Sequence, residues 1–326
     1  MNITILGGGG FLGRKLANRL AKDGTLGGTR VSSLVLFDLT APPAPEGAAF
    51  PVTSIGGDLA ELPDGVIPPG TSVVFHLAAV VSAQAEADYD LGRRVNVRGT
   101  DAVIDACRKL ASPPRVVFTS SIASYGGGQN VVLNDSTKQI PGGSYGAQKA
   151  AAELFLSDAS RRGFMEVVSL RLPTIIVRPG RPNKAASSFF SSIIREPLLG
   201  LQTDLPVGDD FKVWVASPRR AVEWLLHAAT MDTSGMGLDR SLNPPGMSVN
   251  IGQMLAALET VRQGAGTLIN RISDPALMKL VSTWPAQFDT ARASGLGFSA
   301  HEPLLDVVRA FVEDDLAPTK AERGIA

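Results

Sequence analysis

The chain has 326 residues, enough for one large domain or two unequal ones with a substantial core. Hydrophobic residues make up 44% of it and glycine occurs 34 times, which is typical of compact α/β enzymes and excludes a fibrous or disordered chain. Lys plus Arg and Asp plus Glu both number 31, so no net charge attracts nucleic acid or an anionic membrane, and small molecules are the expected partners.

The residue types that form disulfides and metal sites are scarce. Cys107 is the single cysteine, and the three histidines lie far apart, so we predict no disulfide and no metal. The opening MNITILGGGG lacks the basic and long apolar regions of a signal peptide. No apolar run reaches the roughly 18 residues that suggest a membrane span. We therefore expect a cytoplasmic protein.

Short β-branched runs alternate with helical patterns in the first half of the chain, which predicts an α/β fold with a doubly wound parallel sheet, that is, a Rossmann fold. The predicted strands are 2–6, 33–37, 72–77, 115–120 and 166–172, and the predicted helices between them are 11–22, 86–109 and 145–161.

After Leu172 the chain becomes richer in Pro, Arg and small polar residues. Helices are predicted at 187–199, 218–231, 249–262, 274–281 and 302–315. We predict a nucleotide-binding domain at 1–172 and, at 173–326, mainly a smaller substrate-binding lid, with some return to the sheet.

The segment ITILGGGGFLGRKLANRL reads as a strand, a glycine turn and a helix. Its glycines fit a G-x-x-G-x-x-G spacing, which allows a tight turn, a close approach of backbone to pyrophosphate and close helix–strand packing. The helix N-terminus adds free N–H groups and a favourable dipole for phosphate. The residues expected to bind the cofactor in this turn are Gly7, Gly10, Phe11, Leu12 and Gly13.

Three later strand ends extend the predicted cofactor site. Asp38 ends the second strand, where a carboxylate accepts hydrogen bonds from the adenosine ribose and repels a 2′-phosphate, so we predict NAD. Arg14, just after the glycines, is the argument for NADP instead. The remaining residues expected near the cofactor are Asp58, Leu59, Leu77, Ala78 and Ala79.

The stretch SYGAQKAAAELF places Tyr145 and Lys149 four residues apart, on one face of a predicted helix. A nearby ammonium favours a phenolate, so Lys149 is expected to lower the pKa of Tyr145 and allow proton transfer near neutral pH. Ser120 and Ser121, at the end of the preceding strand in FTSSIASYG, are the candidates to hold the substrate oxygen.

These segments, together with HLAA and NVRGT, occur in the order typical of extended short-chain dehydrogenases/reductases, and the chain resembles that family over its first 180 residues or so. The resemblance implies that Ser121 is the catalytic serine, Tyr145 the acid/base and Lys149 the residue that holds the nicotinamide ribose. It also implies that Asn96 belongs to the cofactor site. A homodimer pairing through helices such as 86–109 and 145–161 is implied too. The family's threonine before the first glycine is replaced here by Leu6.

The second half of the chain points to the substrate. RPGRPNKAASSFFSSIIREPLLG and VWVASPRRAV resemble a branch of the family that oxidises the four-carbon sugar acid D-erythronate at its 2-hydroxyl. Arginine binds a carboxylate through two parallel hydrogen bonds, and the candidates here are Arg178, Arg181, Arg219 and Arg220. Of these we select Arg178 and Arg219. Thr174, Ser187 and Ser188 are available for hydroxyl groups, and we select Thr174 and Ser187. The alternatives are a nucleotide-sugar epimerase or dehydratase with the same catalytic residues, and a regulatory protein that senses NAD(P) without catalysis.

Overall fold

The protein is described by a computed structural model that covers residues 1–182 and 187–325. Its strands are β1 (Asn2–Leu6), β2 (Thr25–Leu26), β3 (Thr29–Arg30), β4 (Ser33–Asp38), β5 (Val52–Gly56), β6 (Thr71–His76), β7 (Arg115–Ser121), β8 (Val132–Leu133), β9 (Glu166–Leu172), β10 (Thr174–Ile175), β11 (Thr203–Leu205), β12 (Lys212–Ala216), β13 (Ser241–Leu242), β14 (Met247–Asn250), β15 (Ile269–Arg271) and β16 (Gln287–Phe288). The five predicted strands are all present, with bounds that differ by at most one residue.

Seven of these strands form one parallel sheet in the order β13-β9-β7-β6-β1-β4-β5. From β1 the chain moves outward to β4 and β5, and then returns to β6 on the opposite side of β1. The order therefore reverses between β1 and β6. Open α/β sheets bind ligands beyond the carboxyl ends of their strands at such a reversal.

The helices cover both faces of the sheet. They are α1 (Phe11–Asp23), α2 (Ser82–Ala87), α3 (Tyr89–Arg93), α4 (Gly99–Cys107), α5 (Ser144–Arg161), α6 (Ser188–Leu198), α7 (Pro218–Thr230), α8 (Ile251–Val261), α9 (Pro275–Val281), α10 (Ala291–Gly295), α11 (Leu304–Phe311) and α12 (Ala317–Arg323). On one face, Leu16 of α1 and Trp224 of α7 join Ile5 of β1 in a single apolar cluster. On the other, Val103 of α4 and Leu156 of α5 pack with the strands. The predicted Rossmann fold is confirmed.

The chain leaves the sheet after β9 and later returns to it. Helix α7 packs on the same face as α1, and β13 pairs in parallel with β9. The segments before and after this return form a second apolar cluster with α6, α8 and α11, next to a small sheet of β10, β12 and β14.

The predicted helix over 86–109 is divided into shorter pieces. Helix α2 ends before Asp88, whose carboxylate accepts the Leu91 N–H at 2.9 Å and starts α3. A π-helical segment over 94–98 then joins α3 to α4. Helical periodicity in a sequence does not show where a side chain caps a new helix. The sequence pattern therefore predicted one continuous helix where Asp88 starts a second one.

The insertion after α1 is a hairpin of β2 and β3, whose turn residues Gly27 and Gly28 have positive φ angles of 56° and 78°, which favour glycine.

Cys107, at the end of α4, is buried in the apolar cluster beneath the sheet, and this burial raises the pKa of its thiol to about 12. None of the described helices combines the length and the apolar character needed to cross a bilayer.

Candidate active site

A cavity of about 390 Å³ opens at the carboxyl ends of β1, β6, β7 and β9, where the strand order reverses. Thirteen of the residues predicted from the sequence line this cavity: Gly7, Gly10, Phe11, Leu12, Gly13, Leu77, Ala79, Ser121, Tyr145, Lys149, Thr174, Arg178 and Ser187. The residues predicted to bind the cofactor and the residues predicted to carry out catalysis therefore line one cavity.

The glycine turn leaves no room for side chains on its inner side. Gly7 has a φ of 89°, and a Cβ atom there would lie 2.6 Å from the backbone nitrogen of Ala78. A Cβ on Gly13 would lie 2.0 Å from the carbonyl oxygen of Gly7, so glycine is required where α1 crosses the turn. Helix α1 has no acidic residue in its first turn, which leaves its N-terminus open to an anion. This turn fits the pyrophosphate of a dinucleotide.

Asp38 and Asp58 do not line this cavity: Asp38 is the last residue of β4, and Asp58 follows β5. The Asp38 carboxylate accepts the N–H of Gly9 at 3.0 Å and its oxygens also reach the N–H of Leu39. It therefore places a negative charge directly beside the turn. Asp58 caps the short helical turn that begins at Leu59 and pairs with Arg94 at 2.8 Å.

Tyr145 sits in the first turn of α5 because this helix approaches the end of β7 very closely. A Cβ atom on Gly146 would lie 2.0 Å from the carbonyl oxygen of Ala123, in the turn that follows Ser121. The Ser121 hydroxyl accepts the N–H of Ala123 at 3.1 Å, which fixes the serine facing the tyrosine. The missing side chain at Gly146 thus sets the relation between Ser121 and Tyr145.

Lys149 follows one turn later and is 2% exposed. Its Nζ donates to the carbonyl oxygen of Thr119 at 2.7 Å and lies 5.7 Å from the centroid of the Tyr145 ring. Burial lowers the pKa of Lys149 to about 7, against the opposing effect of the Glu153 carboxylate.

The charge that acts on Tyr145 differs from the prediction. Burial raises the pKa of Tyr145 to about 12, and the groups that lower it are the Arg178 guanidinium and then the Ser121 hydroxyl. Lys149 was expected to lower this pKa. Its ammonium is instead directed to the Thr119 carbonyl, and burial disfavours its charged form.

The two predicted substrate arginines lie in different places. Arg178 lines the cavity, its Nε donates to the carbonyl oxygen of Ile175 at 3.1 Å, and burial lowers its pKa. Arg219 does not line the cavity: at the start of α7 its guanidinium pairs with Glu313 at 2.9 Å and with Asp314 at 2.8 Å. We therefore leave Arg219 out of the site.

Asn96 and Ala78 do not line the cavity, but they contact the backbone segments that do. The Asn96 side chain accepts the N–H of Val80 at 2.8 Å and donates to the carbonyl of the same residue at 3.0 Å, so it holds the chain that follows β6. It also donates to Gln148 on α5, beside Lys149. Ala78 contributes the backbone that Gly7 approaches.

Several lining residues had no signal in the sequence. Trp284 and Pro285 reach the cavity from the chain between α9 and β16, far from every motif. The carbonyl oxygen of Thr283, next to them, accepts the N–H of Gly128 at 3.0 Å and ties this segment to the loop after β7. A long-range contact of this kind leaves no local pattern to find.

A doubly wound sheet with a glycine turn at its reversal, and with serine, tyrosine and lysine on the same edge, defines a dinucleotide-dependent oxidoreductase of the Rossmann class. Residues 3–216 match the NAD dependent epimerase/dehydratase family, and the chain belongs to that family. NAD is accordingly its cofactor, as predicted from Asp38.

Comparison with individual proteins gives close relatives of full length. The chain is 45% identical over 323 residues to D-erythronate dehydrogenase from Cupriavidus necator, which covers 96% of this chain and 98% of the relative. It is 37% identical to D-erythronate dehydrogenase from Haemophilus influenzae, over 97% and 100% of the two chains. A crystal structure of a nucleoside-diphosphate-sugar epimerase from Agrobacterium tumefaciens superposes with a TM-score of 0.91 at 43% identity, over 97% of this chain and 95% of that chain.

Proposed function

We propose that the protein oxidises the 2-hydroxyl group of a short sugar acid, D-erythronate first, to the corresponding 2-keto acid. The relatives from Cupriavidus necator and Haemophilus influenzae, both named D-erythronate dehydrogenase, support this substrate. The structural observation that carries the proposal is Arg178, a half-buried guanidinium beside Tyr145 in the cavity that forms no ion pair with any carboxylate in residues 1–182 and 187–325.

The substrate carboxylate is the natural partner of this guanidinium. An aldonate with its carboxylate on Arg178 has its 2-hydroxyl one carbon away, close to the phenol on which the same arginine acts. Thr174 and Ser187, which also line the cavity, are placed to bind the remaining hydroxyl groups. One arginine thus selects an acid and directs its neighbouring hydroxyl to Tyr145.

Each residue of the catalytic set then has a separate task. Tyr145 takes the hydroxyl proton, and Ser121 holds the substrate oxygen while that proton leaves. Arg178 and Ser121 both favour the phenolate that this step requires. Bound NAD supplies the hydride acceptor for the hydrogen of the same carbon. Lys149, with its ammonium near the end of β7, is placed to hold the nicotinamide ribose.

The glycine turn and the strand ends hold the rest of the cofactor in this proposal. Gly7, Gly10 and Gly13, with the first turn of α1, take the pyrophosphate. Asp38 takes the adenosine ribose and disfavours NADP, because its carboxylate would face the 2′-phosphate.

A nucleotide-sugar epimerase is the second candidate, favoured by the name of the Agrobacterium tumefaciens structure. Epimerisation by the same residues leaves the cofactor oxidised after each turnover. Among the described residues that line the cavity, Arg178 and Lys149 are the only cations, and Lys149 serves the cofactor in our proposal. One guanidinium suits one carboxylate, whereas a nucleoside diphosphate needs donors for two phosphates.

The test is to incubate the protein with NAD and a panel of four- to six-carbon aldonates and nucleotide sugars. We expect NADH absorbance to rise with D-erythronate and to stay flat with nucleotide sugars. Conversion of a nucleotide sugar to its epimer without net NADH would favour the epimerase. Tight NAD binding without turnover of any compound would favour the regulatory protein.

We infer further that two copies of the chain pair through the outer side of α5 and neighbouring helices. Leu154 and Phe155 are neighbours on α5 and are 70% and 48% exposed, so together they offer a second copy an apolar contact. Light scattering tests this inference: we expect the mass of a dimer for the protein and that of a monomer after Leu154→Lys. A monomeric wild-type protein would contradict it.

A further inference from the structure

A buried carboxylate behind the catalytic residues lies on α5, the helix of Tyr145 and Lys149, and contacts β7, the strand of Ser121. Glu153 is 2% exposed and lies on α5 one turn after Lys149. Its carboxylate accepts the hydroxyl of Ser120, and it also accepts the side-chain N–H of Gln139 at 3.1 Å. Glu153 is buried behind Lys149 and does not line the cavity.

The charge of Glu153 is matched from the next strand. Arg171 of β9, 5% exposed, donates to the Glu153 carboxylate from Nε at 3.0 Å and from Nη2 at 2.8 Å. Its Nη1 donates to the Tyr125 hydroxyl at 2.6 Å. This two-bond geometry fixes the carboxylate in one orientation below the site.

Side chains of helix α5 therefore hydrogen-bond to two consecutive residues near the end of β7. Lys149 holds the carbonyl oxygen of Thr119, and Glu153 holds the side chain of Ser120. The next residue along the strand is Ser121. The position of Ser121 relative to α5 thus depends on both contacts.

We propose that Glu153 is a positioning residue for the reaction: it fixes the end of β7 beside Ser121, and its charge keeps Lys149 in the ammonium form that holds the cofactor. This inference rests on the role given to Lys149 in the proposed function. It requires no particular substrate.

The other groups around Lys149 leave Glu153 as the carboxylate that acts on it. From β6, His76 is neutral, because burial and the charge of Lys149 lower its pKa to about 3. On α5, Tyr145 is a neutral phenol with its pKa raised to about 12 by burial. From β7, Lys149 meets the carbonyl of Thr119 and the ring of Phe118, whose centroid is 4.5 Å from Nζ. Burial lowers the pKa of Lys149 to about 7, and the Glu153 carboxylate opposes that change.

The experiment measures the dissociation constant of NAD by calorimetry as a function of pH. In the wild type, affinity should fall as pH rises through the deprotonation of Lys149. Glu153→Gln removes the negative charge, so we expect the midpoint of that fall to move to lower pH by about one unit or more. At a pH of about 8 the variant should then bind NAD roughly ten times more weakly, and the difference should close on acidification.

Two companion variants keep the test decisive. If Glu153→Gln does not fold because Arg171 loses its main partner, Glu153→Gln/Arg171→Met removes the pair together and should move the midpoint in the same downward direction, by a smaller amount, because the more distant positive charge of Arg171 is lost as well. Asp158→Asn removes a carboxylate from the exposed part of the same helix, where it pairs with Arg161, and should leave the midpoint unchanged.

An unchanged midpoint in both Glu153 variants, or an equal loss of affinity at every pH, would overturn the inference, because a purely structural role gives no shift. Lys149→Met separates this result from a failure of the proposed function. If Lys149→Met leaves NAD affinity intact, the role of Lys149 itself is wrong. If Lys149→Met weakens binding while the Glu153 variants show no shift, only the role of Glu153 is wrong.

Discussion

The guanidinium of Arg178 supplies the positive charge that acts on the phenol of Tyr145. Arg178 comes from the loop after β10, and Tyr145 from the first turn of α5, so the pair joins the substrate side of the cavity to its catalytic side. A substrate carboxylate bound to Arg178 would therefore lie beside the group that removes its hydroxyl proton. Recognition of the acid and the proton transfer thus share one residue.

Tyr145→Phe removes the proton acceptor and little else, since the ring stays in place. We expect turnover of D-erythronate to fall by about a thousandfold, within the usual range for loss of a general base. NADH affinity, measured by fluorescence, should change by less than about twofold, because the proposed cofactor contacts lie elsewhere. Turnover near the wild-type level would remove Tyr145 from the mechanism.

Arg178→Met should raise the KM for D-erythronate by roughly tenfold or more, because a charge-assisted pair with the carboxylate is lost. It should also raise the pKa of Tyr145, so the acid limb of the kcat/KM profile should move to higher pH. Steady-state kinetics over a pH series measures both effects.

Arg219→Met is the matched control, since this arginine pairs with Glu313 and Asp314 at the surface. Its KM should stay at the wild-type value. A larger effect at Arg219 than at Arg178 would reverse the assignment of the carboxylate site.

Gly146→Ala tests the close approach of α5 to the end of β7. The added methyl would meet the Ala123 carbonyl oxygen, so the helix must shift. We expect a loss of about 2 kcal/mol in unfolding free energy. We also expect kcat to fall by about tenfold or more, because Tyr145 moves away from Ser121.

Gly295→Ala provides the comparison, because nothing lies within 4 Å of the added atom in that helix. Denaturant unfolding should show no loss of stability there. Equal behaviour of the two variants would mean that the backbone accommodates a side chain at Gly146.

The acid stability of the protein should depend on His76. Burial, with the charge of Lys149, lowers the pKa of His76 from 6.5 to about 3. At pH values between these two, the unfolded chain therefore binds a proton that the folded protein does not. The contribution of neutral His76 to the free energy of unfolding is therefore fully present above a pH of about 6.5, and it is lost as the pH drops toward 3. Between a pH of about 7 and 5 this loss is on the order of 2 kcal/mol.

His76→Gln cannot titrate, so its unfolding free energy should fall by about 2 kcal/mol less than that of the wild type over the same pH range. Urea unfolding at the two pH values measures the difference. The same pH dependence in both proteins would show that His76 is accessible to protons in the folded state.

The sheet and the glycine turn could be predicted because their signals are local. A buried parallel strand is a continuous apolar run, and the spacing of Gly7, Gly10 and Gly13 follows from the backbone of a single turn. The spacing of Tyr145 and Lys149 is equally local, since it needs only a helix.

The electrostatics of the site could not be predicted from the same signals. Helical spacing places Lys149 near Tyr145, but only the position of β7 shows that its ammonium turns to the Thr119 carbonyl. Arg178 and Arg219 look alike as loop or helix-start arginines, and the acidic partners of Arg219 lie about ninety residues later in the chain. Trp284 reaches the cavity through a loop contact that no motif encodes.

The buried thiol of Cys107 has a practical consequence for experiments on motion. Because the chain has one cysteine and burial raises its pKa to about 12, thiol-reactive dyes should leave the native protein unmodified. A cysteine introduced on the surface of the segment that follows α9, and another on α1, could then be labelled selectively without first removing a native residue. Energy transfer between the two dyes would report whether that segment closes over the cavity when NAD and a sugar acid bind.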